Sequence, residues 1–326
     1  MALNLSTKQE LSAVLRAVGR VNVDEPMAHH TSYHIGGPAD LFLRVNSRQG
    51  LMDAISCSLE YEVPVLVIGA GSNLLVSDRG ISGLVVENRS RGWEWLGERE
   101  GPARSGCPQG DVVVEAVRVE VGIPLSRIAG LTADRGLAGF EWSAGIPGTV
   151  GGAIVNNAGA HGTAMADILD SVLILEDGKV KTVLASDLGF AYRQSILKGM
   201  KTDKLVKPVI VEGVFLLRHG LAENIRLRLN EYREGRRSTQ PQLPSAGSVF
   251  RNPPGNVGAG WLIEQCGLKG EQRGDARISE VHANFIVNCG HATAEDVRCL
   301  IDHAMSRVFD RFGVKLELEQ EIIGDW

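Results

Sequence analysis

Two glycine-rich segments of this chain have the composition of a phosphate-binding backbone. They cover residues 69–75 and 145–152, and an apolar or aromatic run precedes each of them. A backbone without bulky side chains lets amide N–H groups approach an anion closely. Two such segments predict one extended ligand with two phosphates, a description that a diphosphate dinucleotide fits. The predicted contact residues are Gly69, Ala70, Gly71, Ser72, Asn73, Leu74, Gly145, Ile146, Gly148, Thr149, Gly151 and Gly152.

Neither segment matches the common nucleotide-binding fingerprints. In residues 69–75, Leu74 stands where a Rossmann motif has its third glycine. No segment reads Gly-x-x-x-x-Gly-Lys-Ser/Thr, so a P-loop is excluded. One such segment alone is more often a tight turn than a ligand site. Two of them, each after an apolar run, favour the ligand site.

The composition argues against nucleic acid or a membrane as the main partner. The chain has 326 residues and a formal net charge of −5, and its basic residues are spread along its length. No window approaches the ~18 apolar residues that a membrane span needs. The five cysteines form no Cys-x-x-Cys pair, and the N-terminus lacks the apolar core of a signal peptide. We therefore expect a cytoplasmic protein with reduced thiols and, for want of ligand spacing, no metal site.

Hydrophobic periodicity predicts an α+β protein of several domains. An N-terminal helix is expected to be capped by Ser6, and residues 97–110 are expected to form an exposed loop. The last helix is predicted to begin after a Thr293 cap and to stop at Gly313, before a strand over 314–323. The predicted domains are residues 1–90, 91–218 and 219–326.

Further segments, combined with the glycine-rich ones, identify a family. Residues 190–195 read Phe-Ala-Tyr-Arg-Gln-Ser, and residues 245–253 read Ser-Ala-Gly-Ser-Val-Phe-Arg-Asn-Pro. Residues 282–288 read His-Ala-Asn-Phe-Ile-Val-Asn, and residues 31–38 read Thr-Ser-Tyr-His-Ile-Gly-Gly-Pro. This ordered set resembles the UDP-N-acetylenolpyruvoylglucosamine reductase family, in the shorter subclass that lacks a tyrosine-bearing insertion. The resemblance covers nearly the whole chain.

The resemblance implies a fold and a set of ligands. It implies a vanillyl-alcohol-oxidase-type FAD-binding fold, with FAD between residues 1–90 and 91–218 and a substrate-binding domain at 219–326. Many oxidases of this fold attach flavin to a histidine near the first loop, and none stands in residues 69–75. FAD is therefore expected to be non-covalent. NADPH is the expected co-substrate, UDP-N-acetylglucosamine enolpyruvate the expected substrate, and a monomer the expected state.

The implied reaction needs a cation and a proton source. Reduction of an enolpyruvyl ether adds hydride from flavin N5 to the methylene carbon and a proton to the α-carbon, through an enediolate. Arg193 offers a planar cation for the carboxylate. By resemblance, Ser248 donates the proton, and Glu319 stabilises the enediolate opposite Arg193. Without the resemblance, the three residues would be read as a surface arginine, a turn serine and part of a solvated strand face.

Further polar residues are candidates for holding the rest of the substrate. The predicted substrate-binding residues are Tyr192, Arg251, Asn252 and Lys269. Arg273 and Arg277 are further candidates for the UDP diphosphate. A lone histidine beside an apolar run, such as His282, is more often buried and hydrogen-bonded than catalytic.

The C-terminal motif departs from the family pattern. The family usually has Leu-Glu-Pro-Glu-x-Arg, whereas residues 316–321 read Leu-Glu-Leu-Glu-Gln-Glu, with Leu318 for proline and Glu321 for arginine. On an extended strand, the carboxylates of Glu319 and Glu321 would lie ~7 Å apart. Mutual repulsion is then expected to raise the pKa of at least one of them.

Two other functions stay open on the residues alone. One is a flavin oxidase of the same fold that acts on an alcohol or a hydroxy acid. The missing loop histidine and the motif around Ser248 count against it. The other is a non-catalytic flavin- or UDP-sugar-binding protein, which the altered C-terminal motif would suit.

Overall fold

The computed structural model describes residues 3–101, 112–198, 205–255 and 257–326. Its α-helices are α1 (Leu5–Leu15), α2 (Arg48–Glu60), α3 (Leu125–Asp134), α4 (Val150–Val155), α5 (Ala222–Thr239), α6 (Ala259–Gln265) and α7 (Ala294–Phe312). Its strands up to the middle of the chain are β1 (Arg20–Pro26), β2 (Pro38–Val45), β3 (Val65–Ile68), β4 (Leu74–Val76), β5 (Ile81–Asn88), β6 (Trp93–Gly101), β7 (Val112–Glu120) and β8 (Leu137–Ala138). The later strands are β9 (Gly159–Ala160), β10 (Thr163–Ala164), β11 (Leu169–Glu176), β12 (Lys179–Leu184), β13 (Val209–His219), β14 (Gln272–Arg273), β15 (Ala276–Ile278), β16 (Ile286–Asn288) and β17 (Glu321–Ile323).

The N-terminal region is a small sheet backed by α1 and α2. Its strand order is β1-β2-β5-β3, and β2, β5 and β3 run parallel. Helix α2 connects β2 to β3, as parallel strands require a crossover. Its apolar face, which includes Leu51 and Ile55, is buried with Leu41 and Leu43 of β2. The first glycine-rich segment leaves this sheet at the end of β3.

The middle region is an antiparallel sheet with strand order β12-β11-β13-β7-β6, and β8 attaches to β13. Its core contains Phe140, Trp142 and Phe215, and the Phe140 and Phe215 rings meet edge to face at 5.1 Å. A short 3-10 helix at Glu141–Ser143 leads into the second glycine-rich segment, which ends in α4. The aromatic core therefore anchors the base of that segment.

The C-terminal region returns to the beginning of the chain. It contains the sheet β14-β15-β16 packed with α6 and α7. The last strand, β17, pairs in parallel with β4, and Glu321 lies opposite Leu74. This long-range pairing places residues 319–321 beside the first glycine-rich segment.

Several sequence predictions can be compared with these elements. The mixture of helices and strands confirms the α+β class, and the last helix has the predicted Thr293 cap and a left-handed Gly313 at its end. The Ser6 cap is wrong: the Asn4 side chain accepts from the Thr7 N–H, while the Ser6 hydroxyl donates to Glu10. The domain boundaries stay a prediction.

The structure also changes the extents of one predicted loop and one predicted strand. Residues 97–101 belong to β6 rather than to a loop, because this stretch pairs with β7. Residues 102–110 of that predicted loop lie outside the described residues. Of the strand predicted over 314–323, only Glu321–Ile323 forms one, with an isolated bridge between Leu318 and Phe250. The alternation of apolar and charged residues over 314–323 therefore does not mark one strand. Leu318 pairs with Phe250, whereas Glu321–Ile323 pair with β4.

Candidate active site

The two glycine-rich segments lie against each other. A Cβ built on Gly69 would lie 2.2 Å from Oγ1 of Thr149. The Ser72 hydroxyl donates to the carbonyl of Pro147 at 3.1 Å, and a Cβ on Gly148 would lie 3.0 Å from Ser72 Oγ. The segments therefore form one continuous surface, called here the glycine cradle (residues 69–74 and 145–152).

The cradle has the shape that a diphosphate cofactor requires. Gly71 and Gly145 have φ angles of +61° and +74°, a region that residues with a Cβ rarely adopt. A Cβ on Gly71 would lie 2.0 Å from the carbonyl oxygen of His30. The N–H groups of Ile146, Val150 and Gly151 already donate to main-chain carbonyls, so the donors for phosphate oxygens would come from the other residues of the cradle. The residues present thus fit the diphosphate of FAD.

A Gly71→Ala substitution is expected to destabilise the protein by about 2 kcal/mol or more. Left-handed backbone costs a residue with a Cβ ~1–2 kcal/mol, and the collision with the His30 carbonyl adds to it. Thermal unfolding and FAD retention on gel filtration measure the effect. Gly235→Ala in α5 is the control, since its Cβ would meet nothing within 4 Å and should gain ~1 kcal/mol. Equal stability of the two variants would contradict the strain argument.

Arg193 projects from a tight turn that is fixed to the second half of the cradle. Its φ is +55°, and Ala191 pairs with Gln194 across the turn. The Ser195 hydroxyl donates to the carbonyl of Val155 at 2.6 Å, and the Asn157 amide donates to the carbonyl of Ala191 at 2.9 Å. Both anchors belong to α4 or the residues just after it. The arginine is therefore held in place by the element that ends the cradle.

Arg193 and Glu319, which were predicted to act in the same reaction, form an ion pair. Arg193 Nε lies 3.1 Å from Glu319 Oε1, and both side chains are largely buried. The geometry is not that of an aligned hydrogen bond, because Nε has no such partner. Tyr192 beside it is 57% exposed, and its ring lies 5.6 Å from the Arg193 guanidinium carbon. Arg193 thus retains N–H donors for a carboxylate ligand.

Ser248 lies on a turn directly beside Glu319. The Glu319 N–H donates to the carbonyl of Val249 at 2.8 Å. Ser248 is half-buried, and its hydroxyl makes no hydrogen bond with the described residues. The first cradle segment reaches the same place, since the Asn73 amide donates to the main-chain oxygen of Glu319 at 3.2 Å. The three residues predicted to carry the chemistry are therefore assembled beside the cradle.

Burial raises the pKa of Glu319 above its usual value. Four cations oppose this rise, and they are Arg193, Lys198, Arg251 and Arg236. The largest cause is burial rather than repulsion from Glu321, so the predicted main origin of the rise is wrong although its direction is confirmed. The reason is that residues 314–320 do not form the continuous strand on which the two carboxylates would face the same way.

Stability should therefore depend on pH through Glu319. Because its pKa is raised, the folded protein holds this proton more tightly than the unfolded chain does. Stability is then lost as the pH rises from the ordinary value of 4.5 through the raised pKa. Glu319→Gln removes this dependence, so the variant should gain stability relative to wild type over that pH window. Denaturant unfolding at a series of pH values measures the difference, and a difference independent of pH would contradict the prediction.

Two cations near Glu319 were not predicted from the sequence. The Lys198 ammonium donates to the main-chain oxygen of Glu319 at 3.2 Å. Burial lowers the pKa of Lys198, and Glu321 partly offsets this. Burial and the charge of Arg193 lower the pKa of Arg236. Only weak indications of these two cations were visible in the sequence. Lys198 lies five residues after Arg193, and Arg236 belongs to the basic end of α5.

The predicted substrate-binding residues separate into two places. Arg251 lies among the cations around Glu319, and its buried Nε has no hydrogen-bond partner in the described chain. Asn252 uses its Oδ1 to accept from the N–H of Ala259 at 3.0 Å, which caps α6. Lys269 lies apart, paired with Glu264 at 2.8 Å.

The remaining candidate residues, His282, Arg273 and Arg277, are not among the cations that act most strongly on Glu319. His282 Nδ1 accepts from the N–H of Asn284 at 3.2 Å. Burial lowers the pKa of His282, consistent with a hydrogen-bonded structural histidine. Arg273 is exposed on β14, and Arg277 has a buried Nε without an aligned partner in the described ranges.

Over residues 3–101, 112–198, 205–255 and 257–326, no group of His, Cys, Asp and Glu is arranged to hold a metal ion. In the same part of the chain, no helix is long and apolar enough to span a membrane.

Known proteins resemble this chain along nearly all of its length. Residues 39–184 match the family model of an FAD binding domain, and residues 240–323 match that of the UDP-N-acetylenolpyruvoylglucosamine reductase C-terminal domain. UDP-N-acetylenolpyruvoylglucosamine reductase 2 of Symbiobacterium thermophilum is 42% identical over 97% of this chain and 96% of its own. The Halalkalibacterium halodurans reductase is 41% identical over 97% and 99%.

A solved structure agrees with these relatives. The crystal structure of UDP-N-acetylenolpyruvylglucosamine reductase from Thermus caldophilus has a TM-score of 0.72 and 34% identity. The match covers 93% of this chain and 99% of the other, which supports the predicted FAD-binding α+β fold. The chain therefore belongs to the UDP-N-acetylenolpyruvoylglucosamine reductase family.

Proposed function

We propose that this chain reduces UDP-N-acetylglucosamine enolpyruvate to UDP-N-acetylmuramate with NADPH, a step of peptidoglycan precursor synthesis. Its membership of the family makes it an FAD oxidoreductase. The observation that carries the proposal is the Arg193–Glu319 ion pair at 3.1 Å, beside the turn of Ser248 and the glycine cradle. A purely flavin-binding protein would not need a buried cation and carboxylate next to an unpaired hydroxyl.

The cradle would hold the FAD diphosphate non-covalently. The residues proposed to line it are Gly69, Ala70, Gly71, Ser72, Asn73, Leu74, Gly145, Ile146, Gly148, Thr149, Gly151 and Gly152. Bound there, FAD would supply the hydride-transfer chemistry between NADPH and the enolpyruvyl methylene carbon.

The side chains next to the cradle would manage the charge that develops on the substrate. Arg193 would bind the enolpyruvyl carboxylate through its planar donors. Ser248 would deliver a proton to the α-carbon, and Lys198 and Arg236 would keep the site cationic enough to polarise that hydroxyl. Glu319, whose pKa is raised by burial, would in its protonated form stabilise the enediolate by donating a hydrogen bond to it.

The rest of the substrate would extend away from this centre. Tyr192, Arg251 and Asn252 are proposed to contact the part next to the reacting group, and Lys269 the more distant part. We further propose a cytoplasmic monomer without a nucleic-acid or membrane partner. The net charge of −5 is consistent with this.

An anaerobic titration of the FAD-loaded protein tests the reaction. NADPH should bleach the flavin absorbance, and UDP-N-acetylglucosamine enolpyruvate should restore it with one equivalent of UDP-N-acetylmuramate formed. UDP-N-acetylglucosamine, which lacks the enolpyruvyl group, is the matched control and should restore nothing. Recolouring with oxygen but not with the enolpyruvyl compound would indicate an oxidase. Absence of any turnover would indicate a binding protein.

A further inference from the structure

The turn that carries Ser248, residues 245–249, is anchored on both sides by side chains outside the reactive set. On one side, the Ser32 hydroxyl donates to the carbonyl of Ser245 at 2.7 Å. On the other side, the Gln320 amide donates to the carbonyl of Gly247 at 3.1 Å. The Ser248 hydroxyl itself makes no hydrogen bond with the described residues. The main chain of the turn sets where that hydroxyl lies. The two side chains hold the turn at Ser245 and Gly247, while main-chain bonds to Asn284 and Glu319 hold it at Val249.

Gln320 is a buried amide with an unusual environment. It is 4% exposed, although it directly follows Glu319. Its Oε1 and the hydroxyl of Tyr33, which is fully buried, both lack an aligned partner among the residues that the structure describes. Burial raises the pKa of Tyr33 and the Gln320 side chain opposes the rise, so the two groups face each other. A buried polar side chain is costly. Among the described residues, the only aligned hydrogen bond of the Gln320 side chain is the one to the carbonyl of Gly247.

Ser32 links the same turn to the glycine cradle. Its N–H donates to the carbonyl of Gly71 at 3.2 Å, while its hydroxyl holds Ser245. One residue therefore couples the position of the cradle to that of the turn. Gln320 couples the turn to Glu319 instead, because its side chain holds Gly247 and its main chain follows directly from Glu319.

We propose that Ser32 and Gln320 are positioning residues that set the Ser248 hydroxyl relative to the cradle and to Glu319. The inference rests on the proposed function, in which Ser248 delivers the proton. A misplacement of about 1 Å can cost ~100-fold in rate, and a turn with one anchor removed shifts by a fraction of that. Loss of either anchor should therefore affect proton delivery more than binding.

The test uses Ser32→Ala and Gln320→Met in the FAD-loaded protein. Each should slow flavin reoxidation by the enolpyruvyl substrate about tenfold, with little change in KM or in flavin reduction by NADPH. The solvent deuterium isotope effect on reoxidation should rise, because the proton step becomes more rate-limiting. Amide exchange across residues 245–249 should accelerate, which is a readout independent of activity. Ser32→Thr keeps the hydroxyl and should restore the wild-type rate.

A matched control separates this role from the general loss of an amide. Gln272 also donates to a main-chain carbonyl, that of Gly274 at 2.8 Å, on the exposed strand β14. Gln272→Met should leave reoxidation, isotope effect and exchange unchanged. If Ser32→Ala and Gln320→Met both behave like Gln272→Met, the inference is overturned.

Ser248→Ala, measured in parallel, distinguishes the two levels of the proposal. A slow Ser248→Ala with normal anchor variants would overturn the inference and leave the proposed function standing. A Ser248→Ala variant with wild-type reoxidation would overturn the proton-donor role and the inference together. If Gln320→Met unfolds, the half-buried anchor Ser32 still decides the question through its Ala and Thr variants.

Discussion

Replacement of Arg193 by methionine is expected to slow flavin reoxidation by UDP-N-acetylglucosamine enolpyruvate by about 10³-fold. Loss of one charge-stabilising donor at a developing anion costs ~10²–10³ in rate. Arg193 is also the first cation that holds down the pKa of Glu319, so that pKa should rise further in the variant. Rapid mixing under anaerobic conditions, followed at the flavin absorbance band, gives the rate. Reduction of the flavin by NADPH should change far less.

Arg193→Lys is the informative companion. Lysine keeps the charge but loses the planar fork, so an intermediate rate is expected if the arginine binds a carboxylate. The φ of residue 193 is +55°. Arginine, lysine and methionine all carry a Cβ, so each of them meets the same backbone strain at this position. Backbone strain therefore does not separate the variants. A wild-type rate in Arg193→Met would remove the arginine from the reaction.

Glu319→Gln is expected to have the second largest effect, with reoxidation slowed about 10²-fold or more. The amide keeps the shape of the side chain but can neither accept a proton nor balance the surrounding cations. Those cations, Arg193, Lys198, Arg251 and Arg236, would then lose their buried counter-charge. Single-turnover reoxidation with saturating substrate measures the loss directly.

Glu321→Gln is the matched control for that variant. Glu321 is the acid that stands at the departure from the family motif, and its N–H donates to the carbonyl of Asn73 at 2.9 Å. Its carboxylate raises the pKa of Lys198, whereas burial is the largest influence on the pKa of Glu319. The Glu321 variant should therefore slow reoxidation much less than Glu319→Gln. Equal and mild effects of the two substitutions would exclude both carboxylates from the mechanism.

The sequence alone was enough to predict features that depend on nearby residues. The last helix was correctly predicted because Thr293, Asp296 and Gly313 act within one turn of its ends. The glycine cradle was likewise visible as composition, since Gly69, Gly71 and Gly148 are needed wherever a side chain would collide. The Ser6 cap was wrong because Asn4, two residues earlier, is an equally good cap and the sequence does not rank them.

Features that depend on distant pairing could not be predicted in this way. The strand expected over 314–323 was overextended because alternation does not reveal which partner each residue meets. The main cause of the raised pKa of Glu319 was misjudged for the same reason, since it is burial. Lys198, Arg236 and Gln320 were missed because their importance comes from burial beside Glu319 and Ser248.

The family was thus determined by the sequence itself, through short ordered motifs, and the same motifs nominated Arg193, Ser248 and Glu319 for the reaction. Their chemical setting was decided only by the tertiary structure. Parallel pairing of β17 with β4 brings Glu319 to Asn73. The turn of residues 191–194, anchored to the end of α4, brings Arg193 to within 3.1 Å of Glu319. The physical reason is that charge, burial and hydrogen bonding act over a few ångströms in space, whereas these residues are far apart along the chain.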